Sequence, residues 1–135
     1  MTHIDWSQRY KLGIPAIDAD HGTLVSMLNR FLNASLEGAS DSELAAYLHT
    51  LVEEVRAHFQ REEAMLDRVN YPELPAHKVE HDRLLVQVQH YEQACQAGEV
   101  PRALSLETAD YLRHWLLDHI ILADMPYRPH VMRLT

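Results

Sequence analysis

The sequence predicts an all-α fold, an up-down-up-down four-helix bundle with an extended N-terminal segment packed along it. Three observations carry that expectation. Apolar residues recur at helical spacing through four long stretches, and only short runs of turn residues interrupt them. Glycine and proline are scarce, at 4 and 6 in 135 residues. A chain of this length can bury a core of its own, so residues 1–135 are expected to form one domain.

Residues 1–17 precede the first helix, and Trp6, Tyr10 and Ile14 make them apolar enough to lie along the bundle. The first helix is expected over about 18–37, with Leu24, Met27, Leu28, Phe31 and Leu32 on one face and Gly38 as its stop. Ser40 and Glu43 then make a capping-box start for a second helix over about 41–69. Its long apolar face carries Leu44, Leu48, Leu51, Val52, Val55, Phe59, Met65 and Leu66. Asn70-Tyr71-Pro72 breaks it, and Pro75 suits the first turn of a third helix over about 75–97, closed by Gly98 and Pro101. A fourth helix over about 103–123 ends ahead of Pro126, because the residue before a proline is pushed out of the helical region. Residues 124–135 form a tail. Short connections make consecutive helices antiparallel, and such bundles build their sites on facing helices.

Composition narrows the function. Lysine plus arginine number 12 against 20 aspartates and glutamates, for a net charge of −8, and the basic residues are scattered; nucleic acid is a poor partner. The start lacks the charged end and apolar run of a secretory signal, and no stretch offers the roughly 18 apolar residues of a membrane span. A cytoplasmic protein without a membrane span is expected. Cys95 is the only cysteine, has no internal partner and reads as reduced and structural. The ten histidines are the excess, and they point to metal.

Helical phase sorts them. His58 with Glu62, and His77 with His81, stand four residues apart, which stacks each pair on one helix face. Imidazole suits transition metals, and a carboxylate can bridge two cations. His49 and His90 each lie nine residues from a member of those pairs, about 180° around the helix, and should face solvent. His114 is about 140° from His119, and His3 and His130 fall in the terminal segments. His21, His58, His77, His81 and His119 remain, with at least one on each helix. Glu63, Glu80 and Asp118 lie about 100° off the ligand face and read as solvated charges. Asp18 reads as a helix cap in preference to a partner for a histidine ring.

The segments WSQRYKLGIPAIDADH, HFQREEAML, YPELPAHKVEH and WLLDHIILADMPY, in this order and spacing, resemble the hemerythrin signature over residues 6 to 127. The resemblance implies two iron ions, one held by His77, His81 and His119 and the other by His21 and His58. Glu62 and Asp124 would bridge them, with an oxo or hydroxo group as third bridge. Three histidines plus three bridges fill six positions, whereas two plus three leave one open for dioxygen. Asp124 is a ligand that helix geometry does not predict, being about 140° from His119, so its helix must end or bend.

The expected function is therefore reversible dioxygen binding for transport, storage or delivery, without enzymatic activity; an oxygen-consuming enzyme would be a natural recipient. Reversibility depends on a dry pocket. Leu24, Phe59, Trp115, Leu116 and Ile120 are its candidate lining, and Leu116 also matches a pocket leucine of the family. The alternative is a di-iron enzyme or sensor acting on dioxygen, peroxide or nitric oxide, but the Glu-x-x-His pairs common to such oxidases are missing. A metal-free structural bundle would leave ionisable groups without charge partners in its core, which is costly.

Overall fold

In the computed structural model, which describes residues 11–97, 102–119 and 124–134, the apolar stripes of four long helices close on one another. These are α1 (Pro15–Leu36), α2 (Asp41–Arg68), α3 (Leu74–Gln96) and α4 (Arg102–His119). They pack in a ring, α1 against α2 and α4, and α3 against the same two. Leu24, Leu28 and Phe31 of α1 interlock with Leu48, Leu51 and Val55 of α2, Leu84 and Val88 of α3, and Leu112 and Leu116 of α4 in one buried core. Each fully buried side chain of this kind contributes about 1.5–3 kcal/mol. Burial of the apolar faces therefore holds the bundle far more than helix propensity does. No helix among the described residues is long and apolar enough to cross a membrane. Cys95 is buried and unbridged.

Local chemistry sets the boundaries. Ser40 accepts from the Glu43 amide at 3.2 Å while Glu43 accepts from the Ser40 amide at 3.3 Å, so the capping box forms as its sequence implies. Gly38, at φ 85°, ends α1 in a Schellman turn, with Ala39 N–H donating to the Ala34 carbonyl. Asn70, at φ 55°, does the same for α2, through Tyr71 N–H and the Leu66 carbonyl.

Two boundaries differ from expectation. α1 begins at Pro15, three residues before position 18: Ile14 is extended ahead of the proline, which then opens the helix in its first turn. Of the expected N-terminal segment, residues 1–10 lie outside the described residues; Leu12 is fully buried. The expected tail is helical. A 3-10 turn (Met125–Tyr127) leads into α5 (Arg128–Leu134), which buries Tyr127 and Val131. His130 Nε2 lies 2.7 Å from the Val69 carbonyl, and Arg128 donates to the Leu12 carbonyl, so this segment clasps the end of α2 and the start of α1.

Candidate metal centre

The ligand-type side chains are drawn from all four long helices and from the segment that follows α4. α2 contributes His58 and Glu62, one turn apart, and α3 contributes His77 and His81 at the same spacing. His21 comes from α1 and His119 from the end of α4. Asp124 stands just ahead of the 3-10 turn, with its side chain buried. All seven are buried, Glu62 and Asp124 completely.

Their donor atoms form two sets, each gathered within 4.8 Å. One is His77, His81, His119, Glu62 and Asp124; the other is His21, His58, Glu62 and Asp124. The two carboxylates belong to both, and each sends one oxygen to either side. Glu62 Oε1 lies 2.6 Å from His77 Nε2 and 2.9 Å from His81 Nε2, while Oε2 lies 3.4 Å from His58 Nε2. Asp124 Oδ1 lies 3.0 Å from His119 Nε2 and Oδ2 lies 2.9 Å from His21 Nε2. Despite these short separations, Nε2 of His58, His81 and His119 and both Asp124 oxygens make no hydrogen bond. Buried polar atoms normally pair. Nitrogen and carboxylate donors that converge with only His77 and Glu62 hydrogen-bonded to each other fit a pair of transition-metal ions.

The electrostatics without metal are those of mutual neutralisation. Burial opposes charge on His21 and His77, yet Asp124 and Glu62 outweigh it and raise each from 6.5 to about 9. Burial likewise opposes charge on Glu62, and the surrounding histidines hold it well below the usual carboxylate range. Asp124 is lowered against its own burial and the Glu62 charge by His119 and His21. The expectation that these groups lack charge partners in a metal-free core is thus corrected: they partner each other.

A ring of polar residues holds the ligands from behind. His58 Nδ1 lies 2.9 Å from Asp20 Oδ2, and Arg61 grips Asp20 through both oxygens at 2.9 and 2.8 Å. Burial raises the Asp20 pKa, but Arg61 and His58 bring it down overall. His81 Nδ1 lies 2.7 Å from Glu63 Oε2, so Glu63 is not the solvated charge its phase suggests: the face of α3 is close enough for the ring to reach it. The Tyr127 hydroxyl donates to Glu62 Oε2 at 3.0 Å, and burial together with the nearby carboxylates raises its pKa. Asp18 accepts from the amides of Leu12 and Gly13, tying the incoming chain to α1. Glu80 pairs with Arg83 at the surface, and Asp118 is exposed.

Among the pocket candidates, Leu24 and Leu116 are buried one turn from His21 and His119. Phe59 stacks face to face on the His81 ring, centroids 3.7 Å apart. Trp115 is buried and, with His119, lines a cleft of about 420 Å³ between α3 and α4. Ile120 lies outside the described residues, as does His3. His49, His90 and His114 are exposed, His49 alongside Glu92 at 3.1 Å. Sequence reasoning missed Asp20, Arg61 and Tyr127. All three lie inside the segments that carry the resemblance, but neither their spacing nor their residue type marks a role there.

Residues 12–130 match the family model described as the Hemerythrin HHE cation binding domain. The chain is 31% identical over 112 residues to the bacteriohemerythrin of Methylococcus capsulatus, covering 83% of each chain. It is 31% identical over 127 residues to that of Pseudomonas aeruginosa, covering 94% of this chain and 80% of the relative. Myohemerythrin-1 of Phascolopsis gouldii is 26% identical over 123 residues, covering 91% of this chain and 90% of its own. A solved wild-type hemerythrin superposes with a TM-score of 0.85 at 28% identity, covering 95% of this chain and 97% of that one.

Proposed function

The chain belongs to the hemerythrin family, and from that premise we propose that it binds dioxygen reversibly at a pair of iron ions, for transport, storage or delivery and without enzymatic turnover. The observation that carries this reading is the divided use of Glu62 and Asp124, each with one oxygen toward a three-histidine set and one toward a two-histidine set. His77, His81 and His119 would hold one iron, His21 and His58 the other, and the two carboxylates would bridge them. An iron pair of this kind, with an oxide or hydroxide as a further bridge, supplies the electrons for reversible dioxygen binding.

The protein's own residues do the rest. Tyr127 fixes the Oε2 oxygen of Glu62 by donating to it. Asp20 and Glu63 accept from the outer nitrogens of His58 and His81, which leaves the inner nitrogens of those rings for metal. Leu24, Phe59, Leu116 and Trp115 surround the ligands with apolar surface and keep water from them. The side with two histidines has one protein donor fewer and would leave room for dioxygen there. An oxygen-consuming enzyme is the partner this activity would serve.

The test is the visible absorption of the iron-loaded protein, reduced, exposed to air and then degassed. A charge-transfer band that comes with air and leaves on degassing supports the reading. A protein that bleaches irreversibly, or that holds one metal per chain when purified from iron-replete cells, overturns it.

A further inference from the structure

His58 and His81 are each held from behind by a carboxylate, one on each side of the centre, but the two carboxylates are not in the same state. Asp20 Oδ2, the oxygen beside His58 Nδ1, is also the oxygen that accepts from Arg61 Nε; Arg61 Nη2 takes Oδ1 at 2.8 Å. Its negative charge is shared between the ring and a guanidinium, whose own second partner is Glu54 at 3.0 Å. Glu63 Oε2 lies closer to its ring, at 2.7 Å from His81 Nδ1, and Glu63 has no ion-pair partner other than His81 among the described residues. Its side chain is 24% exposed against 17% for Asp20, so solvent does not account for the difference.

A carboxylate that accepts from the outer nitrogen of a ligating imidazole pulls the proton toward itself and makes the inner nitrogen a stronger donor. A guanidinium on the same carboxylate weakens that pull, because a bidentate fork takes the lone pairs and offsets the charge. We infer that Asp20 and Glu63 are positioning residues of opposite strength: Glu63 strengthens His81 on the three-histidine side, and the Arg61 clamp holds His58 on the two-histidine side as a weaker donor. The inference rests on the two-metal reading above. The asymmetry keeps the side with fewer protein donors easier to reduce, and it makes Arg61, which reaches no ligand, a control on the centre.

The contrast to measure is between Glu63→Gln and Arg61→Gln. Glutamine at 63 can still accept the ring proton but carries no charge, so His81 donates less and the midpoint potential of the iron pair rises. Glutamine at 61 frees the Asp20 charge, so His58 donates more and the potential falls. Arg61→Lys restores the charge without the fork and brings the potential back toward the native value. Proton–nitrogen NMR of the zinc-loaded, diamagnetic protein is the independent readout. The His81 outer N–H signal moves upfield in Glu63→Gln with His58 unchanged, and the His58 signal moves downfield in Arg61→Gln with His81 unchanged. Circular dichroism checks that each variant is folded. Shifts of the same sign in both variants, or ring signals that do not move, overturn this inference alone. A native chain that takes up only one zinc or one iron overturns the two-metal reading, and the inference with it.

Discussion

At the scale of residues, the centre divides histidines that converge from histidines that do not. His58→Ala and His81→Ala should lower iron from two per chain toward one or none, whereas His49→Ala, His90→Ala and His114→Ala should retain both, since those rings are exposed. Metal analysis alongside circular dichroism checks this, and loss of iron in His90→Ala with an unchanged helical signal would contradict it. Glu62→Ala should be the most damaging single change to iron content, because one residue serves both donor sets. Leu116 acts differently. Cutting it to alanine removes buried apolar contacts, costs about 2–5 kcal/mol and opens a cavity beside His119. A cavity with polar walls admits water. The variant should keep its iron but lose the air-induced absorption band several times faster than the native protein, as stopped-flow mixing with air would record. Equal lifetimes would make Leu116 ordinary core.

At the scale of elements, the caps position the ligands indirectly. α2 carries His58 and Glu62 well inside a helix closed by the Ser40–Glu43 box at one end and the Asn70 turn at the other. Ser40→Ala removes one side of the box and should cost about 1 kcal/mol. Denaturant unfolding measures that loss. Iron content should stay at the native level, because the cap lies several turns from the ligands and the core between them is unchanged. The α5 clasp works at the opposite end: Tyr127 and His130 tie the C-terminal segment to Glu62 and to the Val69 carbonyl. Tyr127→Phe keeps the ring packed but takes a donor from a buried carboxylate, so it should destabilise the metal-free protein by about 1–3 kcal/mol.

At the scale of the whole molecule, the centre makes stability depend on pH and on metal. His21 and His77 have pKa values raised from 6.5 to about 9, so the stabilisation they bring to the metal-free protein is complete below about 6.5 and is lost as pH rises through about 9. Glu62 and Asp124 are lowered, so theirs is present above the ordinary carboxylate value of about 4 and lost as pH falls below it. The melting temperature of the metal-free protein should therefore be highest between about pH 5 and 6.5 and decline toward pH 9. Metal requires neutral rings and displaces these protons. Iron-loaded protein should lose the alkaline decline and release protons on loading at pH 7. Calorimetry across pH 6 to 9 with and without ferrous iron decides it; parallel profiles would show that the metal does not use these rings.

Much of the molecule was legible in the sequence because the information is local. A 3.6-residue period places apolar residues on one face, a Ser-x-x-Glu start and a glycine or asparagine stop bound the helices, and a four-residue interval aligns His58 with Glu62 and His77 with His81. Phase alone sent His49, His90 and His114 outward. The resemblance to hemerythrins supplied Asp124 as an expectation where spacing could not. What the tertiary structure decided is which side chains meet across an interface. Asp20 reaches His58 across 38 residues and Tyr127 reaches Glu62 across 65, and neither distance leaves a periodic trace. Glu63 shows the reason most plainly. Its angle on an isolated helix points it away from the ligand face, but helices pack over a broad strip, and the outer nitrogen of His81 on α3 extends into the margin of that strip. Spacing within a helix sets direction; the reach of a side chain from the neighbouring helix sets contact.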